Sequence, residues 1–274
     1  MTDRTTSDYQ RKPDPVQSYS VKDLFSLKGK TAIISGGGSG IGLAVSQGYA
    51  ESGANVAIIY NSSPSAIDRA KEISEEYGVR VEAYKCNVGD YDSIKETFAK
   101  IAKDFGQYDI VVANSGVQQT TPALVMSPKQ YRDIMDVNLD GVFFQCQIAG
   151  QYFKENKIEG NIIVTASMSG HIVNVPQSQS IYNAAKAGCI HLVRSLAVEY
   201  SAFNVRVNSI SPGYINTPAS GDYDAMKPVW YEKTPMGRDS DTREMKGVYI
   251  FLASSASSYV TGTDIIIDGG YCCL

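Results

Sequence analysis

A tyrosine and a lysine stand four residues apart in the segment "YNAAK", at Tyr182 and Lys186. On a helix, residues i and i+4 lie on one face with Cβ atoms about 5–6 Å apart, so the phenol and the ammonium group can share a small site. The surrounding residues, 180–202, are rich in Ala, have apolar side chains at helical spacing and offer Ser180 as an N-terminal cap. A phenol beside a cation can exchange a proton, but such pairs are also common on helix surfaces.

Around this helix, short β-rich runs alternate with amphipathic helical runs. The expected strands are 31–35, 55–60, 79–86, 109–114, 161–167, 205–211 and 264–268. The expected helices are 40–52, 65–77, 91–105, 128–154, 180–202 and one near 242–253. Strands separated by helices imply right-handed crossovers and a parallel sheet covered on both faces. The sequence therefore predicts a single Rossmann-type, doubly wound α/β domain of about seven strands, from residue 21 to 274.

Composition limits the classes of partner. The chain has 274 residues and a formal net charge of -4, which disfavours nucleic acid and anionic membranes because both reward a basic surface. Residues 1–20 are polar, contain two prolines and lack the apolar core of a secretory signal, so we interpret them as a flexible arm. No apolar run reaches the roughly 18 residues that a membrane span needs, and we expect a cytoplasmic protein.

The five cysteines are odd in number and form no C-x-x-C pair, as expected for reduced thiols. The adjacent Cys272 and Cys273 are either reactive or buried at a packed terminus; free cysteines are frequently buried.

A glycine-rich segment, "SGGGSGIG" (35–42), lies between the first strand and the first helix. Gly36 suits a tight turn, Gly40 a close approach of the backbone to a pyrophosphate, and Gly42 close packing of helix on strand. The bare amides at the start of the helix would face the phosphates. The spacing is G-x-x-x-G-x-G, and no G-K-[ST] follows as in a Walker loop.

Further motifs follow in order: "ANSG" (113–116), "VNLDG" (137–141), "TASMSG" (165–170), "YNAAK" and "SPGYINT" (211–217). Together with the glycine-rich turn, they resemble the short-chain dehydrogenase/reductase family over nearly the whole chain after the arm. The stretches "LFSLKGK", "IIYNSSP", "YKCNVGD" and "IIIDGGYCC" are similar to the fungal NADPH-dependent group of sorbose reductases, mannitol 2-dehydrogenases and carbonyl reductases. The resemblance implies hydride transfer between a nicotinamide cofactor and a ketone or secondary alcohol.

The resemblance also implies a catalytic tetrad. Tyr182 would give a proton to the carbonyl oxygen, and Lys186 would favour the phenolate of a group that otherwise ionises near pH 10, besides binding the nicotinamide ribose. Ser167 would hold the substrate oxygen, and Asn138 would steady a water through which Lys186 exchanges protons. A spacing of 13 residues before the tyrosine would select Ser169 instead. The order serine, two residues, glycine selects Ser167, which we favour, leaving Ser169 as a substrate-binding candidate.

The implied cofactor contacts are spread along the chain and include Tyr182 and Lys186. The others are Gly36, Gly38, Ser39, Gly40, Ile41, Gly42, Tyr60, Asn61, Ser62, Ser63, Asn87, Val88, Asn114, Gly116, Pro212, Gly213, Ile215 and Thr217.

The end of the second strand indicates which cofactor is used. NAD-specific enzymes commonly place Asp or Glu there to bind the ribose 2′-hydroxyl, and that carboxylate repels a 2′-phosphate. This chain places Tyr60 there, followed by Asn61, Ser62 and Ser63, whose polar groups can bind phosphate oxygens. We predict NADP(H), with no metal.

Residues 214–236 form a long connection at the carboxyl end of a strand, a usual place for substrate recognition. Tyr214 and Trp230 are the substrate-binding candidates, with Tyr223, Tyr231 and Asn216 nearby. Trp230 either shapes substrate preference or anchors the segment on the core, since large aromatic side chains are mostly buried.

Other functions remain open at this stage. A hydrolase elbow and zinc-ligand spacing are absent from the sequence. A 3-ketoacyl reductase acting on carrier-protein substrates remains possible, although docking of an acidic carrier favours a basic surface. A catalytically silent NADP-binding regulatory protein is the second open alternative. Family resemblance implies a homotetramer built partly from the helices at 128–154 and 180–202, and the apolar Val142, Phe143, Phe144 and Ile148 suggest more than one buried face.

Overall fold

The computed structural model describes residues 20–217 and 223–274, and these are organised around one parallel sheet. Its seven strands run in the order β3-β2-β1-β4-β5-β6-β9. They are β1 (Thr31–Ser35), β2 (Asn55–Tyr60), β3 (Val81–Lys85), β4 (Ile110–Ala113), β5 (Asn161–Thr165), β6 (Arg206–Pro212) and β9 (Asp264–Ile267). The predicted doubly wound α/β fold is confirmed.

Helices cover both faces of this sheet. They are α1 (Val21–Leu24), α2 (Gly40–Glu51), α3 (Ser65–Tyr77), α4 (Tyr91–Phe105), α5 (Pro128–Met135), α6 (Gly141–Asn156), α7 (Ser180–Tyr200), α8 (Lys227–Lys233) and α9 (Lys246–Ala253). Two short strands, β7 (Ile215–Asn216) and β8 (Ser240–Asp241), pair parallel outside the main sheet. Within the described residues, no helix combines the length and apolarity needed to cross a bilayer.

Alternation along the strands separates two cores. On β1, Ile33 points into a core with Phe98 of α4 and Phe153 of α6, whereas its neighbour Ile34 points into the opposite core with Tyr249 of α9. All five residues of β1 are buried, as expected for a parallel strand covered on both faces. The sheet is thus a rigid platform on which loops at the carboxyl edge can be placed.

The strand order reverses between β1 and β4, and this creates a crevice at the carboxyl edge of the sheet. The two strand ends are tied together by Ser35, whose Oγ accepts hydrogen bonds from the backbone N–H groups of Asn114 and Ser115 at 2.9 and 3.0 Å. The loops that leave β1 and β4 therefore begin from a fixed point on either side of the crevice.

Two predictions about helices are wrong in detail. The run 128–154 is not one helix, because a π-helical turn, Asp136–Asp140, separates α5 from α6. Ser180 is the first residue of α7 and not its cap, since Gln179 holds the N-cap position. The Gln179 side chain makes no capping bond to the helix; the two protons of its amide nitrogen are shared among Ser169, Asn174 and Asn183.

The terminal cysteines are not buried together: Cys272 is partly exposed and Cys273 is exposed. Burial and the neighbouring Asp268 carboxylate raise the pKa of the Cys272 thiol to about 12, so this sulfur stays protonated at neutral pH. For Cys272, the structure favours neither of the two expected roles.

Candidate active site

A cavity of about 530 Å³ occupies the crevice at the carboxyl edge of the sheet. All the residues predicted to bind the cofactor line it, together with Ser167, Tyr214 and Trp230. Asn138 and Ser169, the other two predicted site residues, are buried behind its wall. Residues 218–222 of the predicted substrate segment lie outside the described residues.

The glycine-rich turn has the form of an anion-binding cradle. Gly36 has φ +67°, which a side chain disfavours, and a Cβ at Gly42 would overlap the carbonyl oxygen of Gly36. Ser39, at the N-cap of α2, makes no side-chain hydrogen bond to the helix, so the first N–H groups of α2 face the cavity without a capping partner from it. Together with the helix dipole, these groups fit a pyrophosphate.

The second end of the cavity is formed by the polar residues after β2 and β3. Tyr60, Asn61, Ser62 and Ser63 line it as predicted, and Ser63 Oγ lies 2.8 Å from Ser65 Oγ. Among the described lining residues only Asp239 carries a carboxylate, and it belongs to the segment between α8 and β8. No carboxylate therefore stands at the end of β2, where one would repel a 2′-phosphate.

Lys186 is almost completely buried, with 2% of its surface exposed. Its Nζ donates a 2.8 Å hydrogen bond to the carbonyl oxygen of Thr165, at the end of β5, and lies 5.6 Å from the centre of the Tyr182 ring. The predicted i,i+4 pair thus shares one face of α7, and both side chains reach the cavity.

Thr165 links this site to the far side of the sheet. Its hydroxyl donates to Asn114 Oδ1 at 3.1 Å and is hydrogen-bonded to the hydroxyl of Tyr249, on α9, at 2.8 Å. Tyr249 is fully buried, and burial raises the pKa of its phenol, which stays neutral. Its backbone oxygen accepts a hydrogen bond from Tyr49 of α2.

Asn138 joins the π-helical turn to the loop after β4. Its Nδ2 donates to the backbone oxygens of Val117 and Ile134, both at 2.8 Å, and its Oδ1 accepts from the Val117 N–H at 3.3 Å. The backbone oxygen of Asn138 accepts a 3.0 Å hydrogen bond from the thiol of Cys189, one turn beyond Lys186. Burial raises the pKa of this thiol and keeps it in the donor form.

Gly116 is the residue that separates Asn138 from Lys186. A Cβ added to Gly116 would lie 3.0 Å from Asn138 Oδ1 and 3.7 Å from Lys186 Nζ. The absence of a side chain therefore leaves open the space beside both groups.

The two candidate serines have different environments. Ser167 lines the cavity, and its Oγ accepts a 3.1 Å hydrogen bond from the backbone N–H of Ser169. Ser169 is 4% exposed, and its Oγ accepts from Gln179 Nε2 at 3.1 Å. This placement supports Ser167 as the substrate-contacting serine. It does not support a direct contact between Ser169 and substrate.

Aromatic side chains close the remaining end. The rings of Tyr214 and Trp230 stack at 3.9 Å with an interplanar angle of 6°, and Tyr271 meets Tyr214 edge-on. Trp230 Nε1 donates to Gln177 Oε1 at 3.1 Å, and only 5% of Trp230 is exposed. Trp230 therefore both anchors α8 and contributes to the cavity wall.

Several lining residues were not predicted from the sequence. They are Ala66, Cys86, Ser115, Val117, Gln118, Val137, Thr165, Ala166, Lys227 and Asp239. Most are immediate neighbours of predicted motif residues, which is the signal that could have found them. Lys227 belongs to the predicted substrate segment 214–236, whereas Asp239 lies outside every predicted motif. A 2.8 Å hydrogen bond to Asp224 raises the pKa of Lys227, which stays charged at the cavity edge.

The cavity therefore combines a glycine-rich turn that fits an anion, a polar end after β2 that lacks a carboxylate, and a serine, tyrosine and lysine beside the switch point of the sheet. A family profile described as enoyl-(acyl carrier protein) reductase matches residues 36–272. A sorbose reductase from Candida albicans is 50% identical over 257 residues, 93% of this chain and 91% of the relative. The chain belongs to the short-chain dehydrogenase/reductase family.

Two further comparisons agree with this assignment. An NADP-dependent mannitol dehydrogenase from Alternaria alternata is 48% identical over 261 residues, 93% of this chain and 97% of the relative. The crystal structure of an NADPH-dependent 3-quinuclidinone reductase from Rhodotorula rubra superposes with a TM-score of 0.92 at 40% identity, covering 96% of this chain and 98% of that one. The family predicted from the motifs is confirmed.

Replacing Gly116 with alanine tests the space between Asn138 and Lys186. We expect Gly116→Ala to lower kcat about tenfold or more, because the new methyl group, 3.0 Å from Asn138 Oδ1, pushes that amide by a few tenths of an ångström and fills the space beside Lys186. A tenfold loss corresponds to about 1.4 kcal/mol. The measurement is kcat, with NADPH affinity determined separately by fluorescence. Gly247→Ala is the matched control, since a Cβ at Gly247 meets no atom within 4 Å. Equal turnover in the two variants would contradict the expectation.

Proposed function

We propose that this enzyme reduces a ketose to a polyol with NADPH, and that sugars of the sorbose or fructose type are its substrates. The observation that carries this proposal is the meeting of Ser167, Tyr182 and Lys186 in the cavity that also contains the glycine-rich cradle. The named activities of the sorbose reductase and the mannitol dehydrogenase support the choice of substrate class. Aryl ketones are proposed as additional substrates of the same site.

The cofactor prediction of NADP(H) is confirmed by the NADP-dependent and NADPH-dependent relatives. The cradle formed by Gly36, Gly42 and the start of α2 fits its pyrophosphate. We propose that Asn61, Ser62 and Ser63 bind the 2′-phosphate. When bound, the cofactor supplies the hydride for carbonyl reduction.

The protein residues position the carbonyl group and manage its proton. The Ser167 oxygen already accepts the N–H of Ser169, so its own hydroxyl proton is available to the substrate oxygen. Tyr182 gives the proton that this oxygen needs as it becomes an alcohol. The Lys186 ammonium stabilises the phenolate that remains, and its burial strengthens this interaction because little water screens it. In oxidation of an alcohol, the same groups act in reverse.

Proton resupply passes through the region of Asn138. By analogy with the family, we propose that Asn138 steadies a water beside Lys186. The space next to Gly116, bordered by both residues, supports this proposal.

The far end of the cavity suits a substrate that is part polar and part apolar. The aromatic residues Tyr214, Tyr223 and Trp230 provide apolar wall, while the amide of Gln118 and the tyrosine hydroxyl groups provide hydrogen-bonding groups. Such a mixture fits the carbon skeleton and hydroxyl groups of an open-chain sugar.

A catalytically silent NADP-binding protein is the alternative from another class, and a 3-ketoacyl reductase is the alternative within enzymes. The retention of Ser167, Tyr182 and Lys186 in one cavity favours an active enzyme. The formal net charge of -4 gives a carrier-protein substrate no support.

The substrate class is tested by NADPH oxidation with L-sorbose, D-fructose, aryl ketones and a 3-ketoacyl thioester. We expect turnover of the two ketoses, and Tyr182→Phe should lower kcat by at least a thousandfold while NADPH affinity changes less than threefold. Turnover of the thioester alone, or NADPH binding without turnover of any compound, would reject the ketose proposal.

Trp230→Ala should change the relative kcat/KM values of the different ketones more than it changes the affinity for NADPH.

The recognition of the 2′-phosphate is tested by Tyr60→Asp. A carboxylate at the end of β2 repels this phosphate, and hydrogen bonds to a charged group contribute about 1.5–3 kcal/mol each, so the preference for NADPH should fall about tenfold or more. The measurement is kcat/KM for NADPH relative to NADH. Tyr60→Asn is the isosteric neutral control for that aspartate, and an equal fall in both variants would rule out charge repulsion.

Assembly as a homotetramer remains our proposal. Of the four apolar residues considered on α6, Val142 and Ile148 are buried in this protomer and Phe144 packs edge-on against Tyr91. Phe143 is exposed, as are Leu124, Val125 and Val198. Leu124 and Val125 precede α5, Phe143 is on α6 and Val198 is on α7, and we propose that these exposed apolar side chains contribute to the contacts between subunits. Free thiols at Cys86, Cys146 and Cys189 fit the reducing cytoplasm, where we propose the enzyme acts.

Sedimentation equilibrium of the purified enzyme should give a mass near four times 29.7 kDa at micromolar concentration. Phe143→Glu should shift the population toward smaller species, because it places a charge on the proposed contact surface. A single monomeric species of the unaltered protein would refute the assembly.

A further inference from the structure

Gln179 is a buried amide that the mechanism above does not use. Only 3% of its surface is exposed, and it stands at the N-cap of α7, three residues before Tyr182. Its Nε2 lies 3.1 Å from Ser169 Oγ, 2.9 Å from Asn174 Oδ1 and 2.9 Å from Asn183 Oδ1. Its Oε1 accepts from Gln118 Nε2 at 2.7 Å. One side chain therefore joins the start of α7 to three other segments.

Two of these links lead to the cavity, and one of them reaches a proposed reacting group. Ser169, held by Gln179, donates its backbone N–H to the oxygen of Ser167. Gln118 lines the cavity and is held by the other end of the same amide. Ser167 and Tyr182 must meet at one carbonyl oxygen, although they belong to different elements, the turn after β5 and the helix α7.

We propose that Gln179 is a positioning residue that sets the Ser167 hydroxyl relative to Tyr182, acting through Ser169. The main chain of Gln179 begins the helix that carries Tyr182, and its side chain fixes the turn that carries Ser167. Removing the amide frees one group to move relative to the other, and a displacement near 1 Å can lower turnover about a hundredfold. This role rests on the proposed carbonyl reduction but not on the identity of the ketose.

Gln177 provides a comparison within the same segment. It is equally buried, at 4% exposure, but its amide serves the aromatic end of the cavity. Its Nε2 donates to the Tyr214 hydroxyl at 3.0 Å, and its Oε1 accepts from Trp230 Nε1. Two glutamines, two positions apart, thus support two different parts of the cavity.

The test compares Gln179→Met with Gln177→Met, since methionine has similar length and cannot replace either amide bond. L-Sorbose and a small vicinal diketone, 2,3-butanedione, serve as substrates, and melting temperature and NADPH affinity are measured on each variant. We expect Gln179→Met to lower kcat about 10- to 100-fold with both substrates, with NADPH affinity within about threefold of the unaltered enzyme. Gln177→Met should act mainly on KM, at a comparable loss of melting temperature.

A double-mutant cycle with Ser169→Ala tests the route. If Gln179 acts through Ser169, the loss of kcat in the double variant should not exceed the larger of the two single losses. If Gln179→Met fails to fold, Ser169→Ala alone tests the proposal. It removes only the hydroxyl that accepts from Gln179, and it should still lower kcat several-fold.

Unchanged kcat in folded Gln179→Met, or multiplied losses in the double variant, would overturn the proposal. So would a Gln177→Met variant that loses as much kcat as Gln179→Met, since general destabilisation would then explain both. If the unaltered enzyme reduced the diketone but not sorbose, the ketose proposal would be rejected. The comparison of Gln179→Met with Gln177→Met would then be made with the diketone alone.

Discussion

The active-site region is built around one buried positive charge. An ammonium group with almost no access to water is stable only beside oxygen acceptors, and Lys186 finds one in the carbonyl of Thr165. That bond fixes α7 against the carboxyl end of β5. Because Tyr182 is on the same helical face, the position of the phenol follows from the position of the ammonium group. The turn that carries Ser167 also begins at this end of β5. The positions of Lys186, Tyr182 and Ser167 therefore all depend on the same strand end.

Close approach of backbones is the second requirement at this edge. The glycine-rich turn folds back on itself so tightly that a side chain at Gly42 would overlap Gly36, and Gly116 leaves the space between Asn138 and Lys186 open. In both places the missing side chain is the useful property. Elsewhere around the cavity, the buried amides of Gln177 and Gln179 hold neighbouring segments through hydrogen bonds to the hydroxyl groups of Tyr214 and Ser169.

The sequence predicted most of this architecture because strand and helix periods and the motif spacings are local signals. The strands agree within a few residues, and the predicted cofactor residues all line one cavity. The interruption of the helix at Asp136–Asp140 was missed; Asn138, inside it, is hydrogen-bonded to Val117 in the loop after β4, a contact that is not local in the sequence. The true cap of α7 was missed for a similar reason: Gln179 bonds to Ser169, ten residues away, and to Gln118. Hydrogen bonds between side chains of distant segments produce no regular pattern in the sequence, so they could not be predicted from it.

The hydrogen-bonded series from Asn114 through Thr165 to Tyr249 crosses the sheet from the cavity to the opposite core. Its last member, Tyr249, is a fully buried aromatic residue on α9 that belongs to that opposite core. An engineer seeking a more heat-resistant enzyme would treat that core as separate from catalysis and repack it freely. Tyr249 should be excluded from such repacking, because a change there alters the hydrogen-bond partner of Thr165, whose carbonyl oxygen holds Lys186 at the end of the strand.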